Sequence, residues 1–238
     1  MEGDQNNNAT FNVDLVLCID GTMSIYRWMD RIKDFAISFY AMMIQDFTDK
    51  TGRAVDPGEF RVRCIVFRDY KNDGEAAMEE SRFFNGAEDS EVTAFEEFVR
   101  GITATDGGDA PQNALEAIFT AMKSDWNPSG GRFRRQIIML FTDAPFLPLH
   151  DPDRTTAPNY PLDVPATLED LQDLYERGGQ MMSYVPKLGR LIIFAPYEDT
   201  EWARFRTWER TWIIPCERND WIAVDLIDTL RDISMLRY

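Results

Sequence analysis

Histidine and cysteine are scarce here: His150 stands alone, and there are three cysteines in 238 residues. One imidazole excludes a histidine-rich metal centre. Without a G-x-S-x-G turn, serine–histidine catalysis has no support either, and His150 reads as a surface residue in a proline-rich loop. Cys18, Cys64 and Cys216 lie in or beside apolar, strand-like runs with no metal-type spacing, so they are expected as reduced core residues of a cytoplasmic protein. No apolar run reaches the ~18 residues needed to cross a bilayer. The polar, acidic opening, Met1 to Asn8, is the opposite of a signal peptide, and residues 1–10 are expected to be a disordered lead-in. Basic residues are also few, 25 against 41 acidic ones, for a net charge of −16. Nucleic acid and anionic membrane are therefore poor partners. A cation, a basic protein surface or plain solubility suits that charge.

What is present is an ordinary globular composition, 44% apolar and 28% charged, with strand and helix signals in alternation. Val13 to Ile19 and Gln136 to Phe141 are short, continuous apolar runs, as expected of strands buried on both faces. Phe60 to Phe67 is a third strand. Asn72-Asp73-Gly74 reads as a turn and Ser81 to Phe84 as a short returning strand, an antiparallel hairpin at a sheet edge. Arg190 to Ala195 and Thr211 to Pro215 complete the strands.

Helical spacing is found from Met23 to about Thr48, Val92 to Ile102, Pro111 to Met122, Leu168 to Tyr175 or beyond, Thr200 to Trp208, and Ala223 to Ile233. Pro111 suits a first helical turn. Residues 145–165 form a long irregular loop, rich in proline and aspartate. Arg132, Arg134 and Arg135 read as a solvated edge, and Trp202, Phe205, Trp208 and Trp212 as packing against the sheet. The alternation calls for a mostly parallel sheet covered on both faces, in a single domain over residues 11–238.

The chemistry gathers at three loops. Asp20-Gly21-Thr22-Met23-Ser24 follows the first buried strand and offers one carboxylate and two hydroxyls in a tight turn. Hard oxygen donors of that kind suit Mg²⁺ or a similar ion. Asp143 follows the second buried strand. If those strands are neighbours at the point where strand order reverses, both carboxylates face one crevice. The Gly107-Gly108 loop precedes a helix, and its paired glycines allow an unusual backbone path expected to bring Asp109 to the same crevice. Each residue also has a plain structural reading: Asp20, Asp109 and Ser24 as helix caps, and Asp143 as a turn residue before Pro145. Together, however, repelling carboxylates need a cation or extra protons.

Val13 to Ser24, the Gly-Gly loop and Phe141-Thr142-Asp143-Ala144-Pro145 resemble a von Willebrand factor type A domain, over nearly the whole chain from about Phe11 to Arg237. Phe67-Arg68-Asp69-Tyr70 and Gly108-Asp109-Ala110-Pro111 look most like its stand-alone microbial members. The resemblance implies a three-layer, Rossmann-like, doubly wound, mostly parallel six-stranded sheet with one antiparallel edge strand. It also implies a metal-ion-dependent adhesion site. Carried over, Asp20, Thr22 and Ser24 take the first-motif positions and Asp143 the final aspartate. Asp109 falls where the family most often has threonine; Thr103 or Thr105 is the other source of a hydroxyl there. The implied ion is Mg²⁺, or another divalent cation such as Mn²⁺ or Ca²⁺. The implied function is not enzymatic: a module that meets a protein partner at or near the metal, within a multi-protein assembly.

Two catalytic readings compete. An Mg²⁺-dependent phosphatase or phosphotransferase of the haloacid-dehalogenase type also places an aspartate after its first strand. Its nucleophile is normally followed by a second aspartate two residues on, where this chain has Thr22. A nuclease built on clustered carboxylates conflicts with the acidic surface.

Overall fold

The computed structural model describes residues 11–25, 30–32, 34, 35, 38, 60–86, 88–105, 111–127, 133–178, 184–196 and 201–216. Among the described residues seven strands form one sheet: β1 (Phe11–Asp20), β2 (Phe60–Phe67), β3 (Met78–Glu80), β4 (Phe84–Asn85), β5 (Phe133–Phe141), β6 (Gly189–Ala195) and β7 (Thr211–Pro215). Their order is β3-β2-β1-β5-β6-β7, with β4 also paired to β2. The β2-β1-β5-β6-β7 set is parallel, and β3 and β4 run antiparallel to β2. The six-rank, mostly parallel sheet with an antiparallel edge is therefore as the sequence predicts. The edge rank differs in being split in two. Its first piece begins at Met78, three residues before the expected returning strand, because Tyr70–Asp73 forms one helical turn and Gly74–Ala77 a 3-10 turn where a simple hairpin turn was expected.

Alternation along the central strands sorts side chains to two faces. Val13, Leu15, Leu17 and Ile19 of β1 join Ile25, Ile32, Phe35, Phe95 and Val99 in one core. Val16 and Cys18 join Ala114, Leu115, Ile118, Leu171, Tyr175 and Trp202 in the other. Both faces of β1 and β5 are covered, which is why their sequences are continuous apolar runs. All three cysteines are buried and unbridged, as expected of core residues.

Helices form the outer layers. Asp89–Gly101, Ala114–Met122 and Leu168–Arg177 are helical. Pro111 is not in a first turn. Its neighbour Gln112 pairs with Phe146 as an isolated bridge, and the helix begins at Ala114. The helix from Leu168 stops at Gly178, whose φ of 80° only glycine adopts readily. Residues Trp202–Thr207 form a 3-10 helix instead of the expected α-helix. Trp202, Phe205 and Trp208 are buried and Trp212 packs at the core margin, as the sequence predicts. Arg135 corrects the reading of the basic stretch: it is buried, and Arg134 donates to the Asn127 carbonyl. Of the long helix expected from Met23, Met23–Ile25 is a 3-10 turn and residues 30–32, 34, 35 and 38 are helical. Its remainder, the terminal helix and the lead-in fall outside the described residues.

Candidate functional site

The first loop leaves the sheet between its two central strands. β1 pairs with β2 on one side and β5 on the other, so the direction of winding changes between β1 and β5. Asp20 ends β1, and Asp143 lies two residues beyond β5. That is the switch-point crevice where open α/β sheets place their ligands.

Asp20 is fully buried, and Thr22 and Asp143 nearly so. Asp20 Oδ1 accepts the Thr22 backbone N–H at 3.0 Å and the Thr22 hydroxyl at 2.6 Å. Asp20 Oδ2 accepts the Thr142 hydroxyl at 2.7 Å. Burial lifts the Asp20 carboxyl to about 6. The Thr22 and Thr142 bonds pull it back down, and the Asp143 charge adds to the rise. Like-charge repulsion thus links the two carboxylates that the sequence placed together.

With their hydrogens committed to Asp20, the hydroxyls of Thr22 and Thr142 present oxygen only as an acceptor. Thr142 Oγ1 accepts the Ala144 N–H at 3.1 Å, closing the turn that carries Asp143. Two carboxylates and hydroxyl oxygens without spare hydrogens make a donor set of hard, anionic or neutral oxygen, which fits a small divalent cation. Thr142 was not among the sequence candidates. Its signal was its place: a hydroxyl directly before Asp143, at the end of a fully buried strand.

The loop leading to Asp109 is stitched to the Asp20 loop. Thr105 N–H donates to the Gly21 carbonyl at 3.0 Å, and Thr105 pairs with Thr22 as a parallel bridge. The Thr105 hydroxyl goes instead to Asp73, at 2.7 Å, and the Thr103 side chain is exposed. Asp109 lies outside the described residues. Ser24 is described by its backbone, within the 3-10 turn that follows Thr22. Among the described residues, no three or more His, Cys, Asp or Glu side chains form a metal-binding group.

Arg68, with no signal of a site role in the sequence beyond its place after β2, underlies the whole arrangement. Its guanidinium is buried and donates to the carbonyls of Gly21 (3.3 Å), Ala76 (2.7 Å) and Thr103 (2.9 Å), and to Glu79 Oε1 (2.7 Å). One planar cation therefore ties the Asp20 loop, the loop toward Asp109 and the edge hairpin together. Gly21 is required beneath it, because a Cβ there would lie 2.7 Å from Val66 Cγ1 and 2.8 Å from Arg68 Nε.

Asp69, also buried after β2, is a different case. Arg154 grips it in a bidentate pair at 2.9 and 3.1 Å, and it caps the following turn through Lys71 N–H. That pairing fastens the 145–165 loop to the sheet and makes Asp69 a structural anion. His150 is exposed, in line with its expected surface position.

The chain thus has a three-layer, doubly wound α/β fold with buried acids at its switch point. Among solved structures, that fold is shared with the pilus adhesin SpaC from Lactobacillus rhamnosus GG. The TM-score is 0.55 at 12% identity, over 96% of this chain and 31% of that one. For the same adhesin in its open conformation the values are 0.54, 10%, 96% and 30%. Proximal thread matrix protein 1 from the mussel byssus gives 0.50, 11%, 96% and 49%. At such identities the likeness is one of fold, and this chain spans less than half the length of each neighbour. No protein-family model and no curated protein matches the sequence. No helix among the described residues is long and apolar enough to cross a membrane.

Proposed function

We propose that this chain is a von Willebrand factor type A domain that binds a protein partner through a divalent cation, Mg²⁺ in the first instance. The observation that carries the reading is the Asp20 carboxylate, buried at the switch point, receiving one threonine hydroxyl on each oxygen and within the electrostatic reach of Asp143. Asp20, Thr22, Ser24, Asp109 and Asp143 would hold the ion. Thr142 keeps Asp20 oriented and Arg68 holds the loops at their spacing. The cation would neutralise the crowded carboxylates and offer an open position to an oxygen from the partner. The adhesin and the matrix protein that share the fold agree with a binding role. Met23 is half-exposed beside the loop and offers the partner an apolar contact. A cytoplasmic setting accords with three buried, unbridged cysteines.

Calorimetry with Mg²⁺ on the wild type, Asp20→Ala and Asp143→Ala tests this directly. Binding should be lost in both variants while circular dichroism stays nearly unchanged. Undiminished affinity in both would remove the site. Purified protein should hydrolyse neither nucleotides nor aryl phosphates above background. Turnover that disappears in Asp20→Asn would replace the binding role with phosphatase chemistry.

A further inference from the structure

Glu116 is a buried carboxyl group outside the proposed cation site, with no ion-pair partner among the described residues. The Ala114–Met122 helix turns it toward the 145–165 loop at 0% exposure. Its Oε1 accepts the Tyr160 hydroxyl at 2.9 Å. The same Tyr160 oxygen accepts the His150 backbone N–H at 2.9 Å, and His150 Nε2 lies 3.1 Å from the Val164 carbonyl. Among the described residues, Glu116 Oε2 has no hydrogen-bond partner, and neither has Asn113 Nδ2. His150 sits at φ 57°, a left-handed conformation that a non-glycine residue rarely takes. The loop is thus held in an unfavourable local shape by a chain of bonds that ends on one buried acid.

Among the described residues, the groups that act on that acid come from three elements. Tyr160 and His150 approach from the loop, Tyr70 from the turn after β2, and Asn113 from the base of the same helix. Glu80 of β3 acts on Tyr70 from farther out. Tyr70 and Tyr160 pack edge-to-face at 5.1 Å. Burial raises Glu116 to about 7; its own backbone N–H, the Tyr160 hydroxyl, the nearby Asn113 side chain and His150 pull it the other way and lose. An ionised carboxylate with an unpaired oxygen in such a place is costly, and the neutral acid much less so.

We propose that Glu116 is a proton-sensitive latch for the 145–165 loop. When neutral it lets Tyr160, His150 and Val164 seat against the helix; when ionised it draws water in and loosens them. The seated loop keeps the proton over the interval from the ordinary value of 4.5 to about 7, whereas the released loop does not. Seating therefore weakens as pH rises through that interval and is level above it. The loop begins at Pro145, two residues after Asp143. Its first residues are bonded to the helix base through Gln112 N–H to Pro145 O (3.0 Å) and Leu147 N–H to Gln112 O (2.8 Å). The latch consequently adjoins the backbone of the proposed cation site, but it stands whether or not that site binds metal.

Amide hydrogen exchange of residues 146–164 in the full chain, corrected for intrinsic rates, tests the proposal between pH 5 and 8.5. Protection in the wild type should fall by up to about tenfold per pH unit to near pH 7 and then level off. Glu116→Gln should show no such slope, and His150→Asn should keep it. A slope that survives in Glu116→Gln, or that vanishes in His150→Asn, would overturn the latch by assigning the proton elsewhere. Infrared detection of a neutral carboxyl at pH 5 that is lost by pH 8.5 provides a readout independent of Glu116→Gln folding. It is made in an Asp20→Asn background, which removes the other carboxyl that burial raises among the described residues. Absence of that band at pH 5 would also overturn the proposal.

Discussion

The Thr142 hydroxyl donates to Asp20 Oδ2 at 2.7 Å, joining residues 122 positions apart at the ends of two adjacent parallel strands. This bond decides what the crevice offers. It turns the Asp20 carboxylate, spends the threonine hydrogen, and ties the β5 loop to the β1 loop.

Thr142→Val removes that donor while keeping the shape. One oxygen of a buried carboxylate then loses a partner, a change of about 1–3 kcal/mol. Urea denaturation should show a loss of that size, and Mg²⁺ affinity should fall with it. Thr142→Ser should recover most of both.

Metal-free protein should lose stability as pH rises from about 4 to 6. Asp20 sits at about 6 in the folded chain against 3.8 for the ordinary carboxyl, so the folded state keeps a proton that the unfolded state has released. The unfavourable contribution is on the order of 3 kcal/mol above pH 6 and absent below pH 3.8. Denaturation in chelator across this range should show the slope, and Asp20→Asn should flatten it. Mg²⁺ should offset the loss in the wild type and not in the variant.

Arg68→Met should be among the most damaging single changes. It leaves the carbonyls of Gly21, Ala76 and Thr103 without this donor and removes the cation facing Glu79. A cost of about 3–5 kcal/mol is expected in the denaturation midpoint, as for breaking a buried pair from one side. Arg68→Lys should recover only part, since one ammonium cannot span the same fork of acceptors.

Gly189→Ala should also destabilise. A Cβ there would lie 1.7 Å from the Tyr184 hydroxyl oxygen and 2.3 Å from its Cζ. Tyr184 is buried and stacks on Tyr175, so it cannot swing clear cheaply. A loss of about 1–3 kcal/mol is expected. In a Tyr184→Leu background the same glycine substitution should cost clearly less, a coupling read by a double-mutant cycle.

The apolar runs of β1 and β5, the alternation of strands with helices, and the position of Asp20 and Asp143 after those runs were legible in the sequence. Strands buried on both faces need continuous hydrophobicity, and the polar residue that ends such a run lies at the strand's carboxyl end, where the loops gather. Local chemistry misled at shorter range. Asn72-Asp73-Gly74 has the composition of a hairpin turn, but Asp69 caps a helical turn there, with Arg154 gripping it from 85 residues away. Pro111 has the right chemistry for a first helical turn, yet the backbone of Gln112 is taken by Pro145 and Leu147.

The sequence by itself determined the layer architecture and the acids at the strand ends, because periodicity and run length are local properties that burial reads directly. Only the tertiary structure decided that Thr142 serves Asp20, that Arg68 lies beneath three loops, and that Glu116 faces Tyr160. Each is a contact between segments far apart in the chain. Its energy comes from satisfying a buried polar group, and which partner satisfies it is fixed only when the strands take their order.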